Sequence, residues 1–478
     1  MKSIIGRVKQ RQLFQEILDG SKSEFMAFFG RRRIGKTFLI REFFDGEFDF
    51  QLTGLANADT SQQLFNFFNS YNRQAYIPLV DPPKNWLEAF DKLKDHLETI
   101  DTPHKKIIFL DEVPWMDTAK SDFISGLENF WNSWAAYRND VILITCGSAA
   151  SWMINELINN HGGLHNRVTH QVHLEPFTLQ ETEEFLLAKG HKCTRYQIIQ
   201  LYMVTGGVPF YLERLNPQKS IMQNIDDLCF KKGGLLRQEF PHLFRSLFKK
   251  YQKHELVVKA LSTKSLGLTR KEILAQTQLR SGGTFSSILE ELELSGFITG
   301  YTAIDKKSKD TLYRLSDFYT LFYFKFIANN PNPEDNYWIN RIDDPSHRAW
   351  SGYAFEQVCL EHQKAIKKAI GISGVRTEIG SWKGTSNKKG AQIDMLINRK
   401  DGITNICEMK YSINEYTITK DYADKLRTKI GVFRSSTKTK NAIQLVMVTT
   451  YGLNRNAYSD ELVHKSVTMD ELFVKTTQ

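Results

Sequence analysis

Glu24-Phe25-Met26-Ala27-Phe28-Phe29-Gly30-Arg31-Arg32-Arg33-Ile34-Gly35-Lys36-Thr37 carries three signals in order. An apolar run rich in phenylalanine ends at a glycine and reads as a buried strand entering a turn. A basic loop closes at a second glycine. Beyond Lys36, the residues Phe38, Leu39, Ile40, Phe43 and Phe44 recur at helical spacing. Strand, loop and helix in this order give Gly-x-x-x-x-Gly-Lys-Thr the context of a phosphate-binding loop. Gly30 and Gly35 permit backbone angles closed to other residues. Successive amides of Arg31, Arg32, Arg33 and Ile34 can then turn inward as an anion nest at the N-terminus of the helix that Phe38 continues. Lys36 is expected to reach the β- and γ-phosphates of ATP, and the Thr37 hydroxyl to ligate Mg²⁺.

Outward from this loop, Lys106 to Leu110 is a second apolar run and Val141 to Thr145 a third. Such runs, separated by helical stretches, predict a parallel sheet covered on both faces, an α/β fold. Asp111 ends the second run, where Mg²⁺ needs a carboxylate directly or through water, and Glu112 beside it can polarise the attacking water. Ser148 follows the third run and could contact the γ-phosphate or the water; an ordinary strand-end hydroxyl is an equal reading. Arg167 precedes the strand-like Val168–Leu174 and could act as an arginine finger or be a surface arginine. A finger acting in trans would require a homo-oligomer.

Ile5-Gly6-Arg7, the phosphate loop, Leu110-Asp111-Glu112, Cys146-Gly147-Ser148 and Gly207-Val208-Pro209 occur in an order that resembles the prokaryotic archaeal-type AAA-like ATPases of the STAND group. The resemblance implies that Gly6 and Arg7 lie near the adenine and that Pro209 belongs to a helical lid over the nucleotide. The glutamate that commonly follows the Gly-Arg pair is absent; Gln10 and Arg11 stand there. Helical periodicity from Leu179 to Leu215, broken at Gly206-Gly207-Val208-Pro209, fits such a lid. The family also carries a winged helix after the lid. Helical stretches near Leu256–Ser262, Arg270–Gln276 and Thr284–Ser295, then strand-like Phe297–Thr302 and Thr311–Leu315, have that outline. The wing tip would be Asp305–Asp310, with Lys306, Lys307 and Lys309. The recognition helix would hold Glu290, Glu291 and Glu293 and no Arg or Lys, which favours a packing or switch role over groove reading.

The expected division is an ATPase core at 1–175, a lid at 176–235, a winged helix at 236–330, a Pro-marked linker at 331–346 and a basic domain at 347–478. The net charge is +9, and the stretch from Pro345 carries 21 Lys/Arg against 13 Asp/Glu, so nearly all the excess sits there. A basic domain on a near-neutral remainder points to a polyanion, DNA, as partner; a surface merely kept soluble by lysine is the other reading.

In this domain Gly352 to Ile370 reads as a helix bearing Glu356, and Gln392–Asn398, Asn405–Lys410 and Ala442–Thr450 as strands. Glu408 and Lys410 are two apart and so share a strand face. A hairpin through Lys400-Asp401-Gly402 would set Asp394 across from Glu408. The pattern resembles the PD-(D/E)xK nuclease superfamily, and the C-terminal domain linked to this ATPase family is also nuclease-like. The resemblance implies Glu356 as the helix acid, Asp394 and Glu408 as Mg²⁺ ligands and Lys410 as the catalytic lysine. A non-cutting scaffold or a salt-bridged hairpin is the alternative.

Five cysteines without Cys-x-x-Cys pairing fit reduced thiols in a cytoplasmic protein. The polar, basic N-terminus is unlike a signal peptide. The most apolar run, Phe318 to Ala328, contains Lys325 and is too short to span a bilayer, so no membrane partner is expected.

Overall fold

Residues 25 to 29 alternate between two separate cores in the computed structural model, which describes residues 4–160, 162–248, 250–264, 266–301, 311–342, 344–386 and 389–474. Phe25, Ala27 and Phe29 enter one core, Met26 and Phe28 the other. This is the two-residue period of a strand buried on both faces. The chain forms two compact units, one built on the residues up to Pro176 with the short segment Glu290–Gly296, the other holding Phe177–Ser246, Lys250–Leu289 and the residues from Phe297 onward.

The first unit is a five-stranded sheet of β1 (Glu24–Phe29), β2 (Phe50–Thr53), β3 (Lys106–Asp111), β4 (Val141–Gly147) and β5 (His170–His173). The order is β2-β3-β4-β1-β5 and every pair is parallel. Helices Val8–Asp19 and Lys36–Phe43 cover one face with Phe14, Ile17, Leu39 and Ile40. Helices Thr60–Gln74, Trp86–Thr99 and Phe123–Ser133 cover the other with Phe67, Phe90, Leu93 and Phe130. Each large side chain so buried contributes roughly 1.5–3 kcal/mol before entropy is counted. Because β3, β4 and β1 are neighbours and parallel, the residues that follow them emerge side by side at the carboxyl edge of the sheet, where ligands of open α/β sheets bind.

The second unit begins with helices Leu179–Ala188 and Arg195–Thr205, each opened by a threonine capping box, Thr178 with Glu181 and Thr194 with Gln197. Gly206 caps the second helix at φ 60°, and Gly207 follows at φ 67°. A Cβ on Gly207 would lie 2.2 Å from the Phe177 carbonyl oxygen, so only glycine fits. Farther along the chain come helix Tyr251–Leu261, β6 (Leu268–Thr269), helix Arg270–Thr277, helix Gly283–Leu294, whose residues from Glu290 are counted with the first unit, β7 (Ile298–Tyr301) and β8 (Leu312–Leu315), the strands pairing antiparallel as β6-β8-β7. The expected wing tip, Asp305–Asp310, lies outside the described residues.

The C-terminal sheet is mixed. β9 (Thr377–Ser386), β10 (Lys389–Arg399) and β11 (Ile403–Lys410) form an antiparallel meander, while β12 (Ala442–Thr449) and β13 (Val463–Thr468) add in parallel. Helix Lys420–Thr437 crosses between β11 and β12 and packs Ala423, Leu426 and Phe433 on the sheet.

Two local readings change. The helix placed at Gly352–Ile370 runs instead from Pro345 to Glu361, then from Gln363 to Ala369. Pro345 opens it as the first helical residue, where its missing N–H costs nothing. The stretch read as a linker contains Trp338, which is 1% exposed among Phe230, Phe322, Phe326 and Trp350. Asp226 also accepts from the Trp338 and Ile339 amides. The backbone there is irregular, and the aromatic packing holds it down. No helix among the described residues is long and apolar enough to cross a membrane.

Candidate functional site

The phosphate loop leaves β1 through Gly30 at φ 140°, passes Arg33 at φ 73° and enters the helix Lys36–Phe43 through Gly35 at φ 87°. Alternation into the left-handed region is what curls successive amides into a nest. Lys36 is buried, and its ammonium donates to the Gly30 carbonyl at 2.9 Å, the Arg31 carbonyl at 3.0 Å and Ser148 Oγ at 3.1 Å. The Ser148 hydroxyl in turn donates to Glu112 Oε1 at 2.8 Å, and its amide donates to Glu112 Oε2 at 3.2 Å. Lys36, Ser148 and Glu112 thus form one hydrogen-bonded chain across the ends of three adjacent strands.

Beside it, Thr37 Oγ1 donates to Asp111 Oδ2 at 2.9 Å. Burial pushes the Asp111 carboxyl up and neighbouring Glu112 adds to that, while bonds from Thr37 and Cys146 oppose it. One hydroxyl and one carboxylate in contact are the donor chemistry that Mg²⁺ takes with its remaining positions filled by water and phosphate. Glu112 itself sits at φ 51°. This sparsely populated geometry for a non-glycine residue bends the chain sharply after β3 and accompanies the carboxylate's reach to Ser148.

Residues 6–215 match the model of a family described as an ATPase domain predominantly from Archaea. This span is an archaeal-type ATPase domain. An uncharacterized protein of Methanocaldococcus jannaschii, MJECL04, is 22% identical over 431 residues, 88% of this chain and 91% of that one. Among solved structures, the Walker-type ATPase PABY2304 of Pyrococcus abyssi is 16% identical over 68% of this chain and 96% of its own, with a TM-score of 0.47. The ORC2 protein of Aeropyrum pernix is 14% identical over 68% and 96% respectively, with a TM-score of 0.43.

Around the loop of the ATPase domain, Gly6 and Arg7 have φ 65° and 55°. The Arg7 guanidinium is buried and donates to the Ile34 carbonyl at 3.2 Å and the Glu175 carbonyl at 2.7 Å. It therefore braces the phosphate loop from behind. Arg31 is buried, whereas Arg32 and Phe38 are exposed. Arg167 is exposed in the turn before β5, and among the described residues no hydrogen bond joins it to the loop. Pro209 opens the short helix Pro209–Leu212 of the second unit.

The second constellation lies on the C-terminal sheet. β10 and β11 pair with Met395 opposite Cys407, and the same register carried one step on puts Asp394 opposite Glu408. The β9–β10 register shifts between Ile393 and Leu396. A bulge there re-aims the side chains at Asp394 and Met395. Gln392 Nε2 donates to Asp394 Oδ1 at 2.6 Å. Lys410 Nζ lies 3.3 Å from Glu408 Oε1, so the two share a face. Burial, then the nearby Asp394, raises the Glu356 carboxyl to about 8. Burial works on Glu408 too, but Lys429, Lys410 and Tyr422 outweigh it and hold that carboxyl below its usual range.

Two residues that the sequence pattern does not mark, Tyr422 and Lys429, also reach Glu408. The Tyr422 hydroxyl donates to Glu408 Oε1 at 2.7 Å, and Lys429 Nζ to Oε2 at 2.5 Å. The available signal was their spacing of seven, two helical turns on the face that also presents Leu426. No three His, Cys, Asp or Glu side chains among the described residues gather as a metal site. A divalent ion at Asp394 and Glu408 would complete its shell with water and substrate oxygens, which Mg²⁺ tolerates.

Proposed function

We propose that the chain hydrolyses ATP with Mg²⁺ and couples its nucleotide state to nucleic-acid binding, or Mg²⁺-dependent phosphodiester cleavage, by the basic C-terminal domain. The observation that carries the ATPase reading is the chain from Lys36 through Ser148 to Glu112 beside the Thr37–Asp111 pair. Lys36 and the loop amides hold the phosphates, and Thr37 and Asp111 hold Mg²⁺, which offsets the charge on the transferring phosphoryl group. Glu112 orients the attacking water, and Ser148 holds Glu112 in place. Gly6 and Arg7 lie near the adenine, and Pro209 belongs to the lid.

Turnover with purified protein tests this. Lys36→Ala is expected to abolish hydrolysis and weaken ATP binding, whereas Glu112→Gln is expected to stall hydrolysis with ATP retained. Unchanged turnover in either variant removes the role assigned to that residue.

The helix, strand and hairpin order between Tyr251 and Leu315 supports a winged helix, its acidic third helix serving packing or switching. In the C-terminal domain Glu356, Asp394, Glu408 and Lys410 support the cleavage reading: Asp394 and Glu408 would hold Mg²⁺, Lys410 would offset charge on the scissile phosphate, and Glu356 would act as the helix acid. Plasmid nicking with Mg²⁺ and ATP, wild type against Asp394→Ala, is the test; intact plasmid with both proteins ends the cleavage reading. One observation favours a second reading, a nucleotide-controlled switch or scaffold that binds without cutting. Both oxygens of Glu408 already have protein partners.

A further inference from the structure

Glu408 is held by more positive charge than its own neutralisation needs. Lys410 and Lys429 both contact it, at 3.3 Å and 2.5 Å, and the Tyr422 hydroxyl shares Oε1 at 2.7 Å. The two oxygens are not held alike. Oε1 keeps Tyr422 and Lys410, while Oε2 contacts Lys429. The Lys429 side chain keeps about a fifth of its surface exposed, and it stands on a helix facing the sheet rather than on Glu408's own strand. Displacing one contact would therefore free an ammonium on a flexible four-carbon stem, with Glu408 still anchored through Oε1.

We propose that Lys429 is a phosphate-anchoring residue of the C-terminal site, masked by Glu408 and released when a divalent cation takes that carboxylate. The proposal rests on reading this domain as a nucleic-acid site that uses Mg²⁺. A divalent cation competes with an ammonium for carboxylate oxygen by its double charge. The displaced ammonium then needs an anion, and the phosphodiester drawn to the same cation supplies one within reach. The exchange makes and breaks ionic contacts only. It gives metal-dependent affinity for the nucleic-acid backbone, independent of base sequence.

The test measures affinity for a labelled duplex oligonucleotide, in Ca²⁺ and in EDTA, with the full chain. Wild type is expected to bind about tenfold tighter in Ca²⁺, the scale of one charge-assisted contact. Lys429→Met is expected to bind weakly in both and to lower the salt dependence in Ca²⁺ by about one counterion. Glu408→Gln is expected to bind in EDTA better than wild type, because its lysine is already free. Lys429→Gln serves as a second neutral variant should the methionine variant misfold, judged by its melting curve. Calcium-stimulated binding that survives both neutral variants overturns the proposal, as does a Glu408→Gln protein that binds no better than wild type in EDTA. Plasmid nicking separates this from the reading beneath it. Ca²⁺-dependent, Lys429-dependent binding without nicking sinks cleavage and leaves the exchange standing; nicking and binding indifferent to Lys429 do the reverse.

Discussion

Lys36 offers three N–H donors, and the structure gives it three acceptors: two loop carbonyls and Ser148 Oγ. Ser148 is therefore the residue through which Lys36 and Glu112 are linked. It also explains why a serine placed directly after β4 matters: β4 lies between β3, which delivers Glu112, and β1, which delivers the loop. As a positioning residue, Ser148 leaves a distinct signature. Ser148→Ala is expected to lower kcat about a hundredfold, the scale of a slightly misplaced group, with KM for ATP nearly unchanged. A variant in which KM rises and kcat holds would make Ser148 a binding group instead. The candidate residues near the loop were legible in sequence because a P-loop fixes residue type at fixed spacing. The reach of Arg7 to the Ile34 and Glu175 carbonyls was not, because the partners lie 27 and 168 residues away and are backbone atoms that every residue carries whatever its side chain.

Among the elements, the joint between the helices Pro345–Glu361 and Leu179–Ala188 turns on one imidazole. His362 Nδ1 bonds the Val358 carbonyl at 2.8 Å, and Nε2 accepts from the Leu179 amide at 3.1 Å. A carbonyl needs a donor and an amide an acceptor, so the ring is neutral with its proton on Nδ1. Burial depresses its protonation to about 4 from 6.5. The sign follows: the neutral ring's contribution is fully present above pH 6.5 and is lost as pH falls from there toward 4. The loss amounts to about 3 kcal/mol. Urea unfolding at a series of pH values should show wild type losing that much more than His362→Ala between pH 7 and pH 4; parallel curves would sink the claim. Periodicity found the helix around His362 but started it seven residues late and missed the break at His362. Apolar spacing says little about a helix opened by Pro345 and closed at a capping histidine. Strands β2 and β13 escaped because they are short and only partly buried, so no apolar run marks them.

At the scale of the molecule, the chain has two compact units, and the ATPase domain's phosphate loop belongs to the first. Ligand binding to the native state alone stabilises it by mass action. Mg²⁺-ATP at a hundredfold its Kd adds about 2.7 kcal/mol, which should raise the melting temperature of the unit carrying the loop by about 5–10 °C. Differential scanning calorimetry with ATP should show this for wild type and lose it in Lys36→Ala. An equal rise in the variant would place the stabilising nucleotide elsewhere.

The α/β class, the phosphate loop and the pairing of Glu408 with Lys410 on one strand face were determined by the sequence alone. Each depends on short-range regularity, whether loop spacing, a period of two or a period of 3.6, and backbone geometry enforces that wherever the segment ends up. Only the tertiary structure decided the strand order that brings Ser148 between Lys36 and Glu112. It alone also buried Trp338 and sent Tyr422 and Lys429 from a helix to a carboxylate on a strand. Those contacts join residues far apart in the chain through packing of faces, and no local pattern encodes which face meets which.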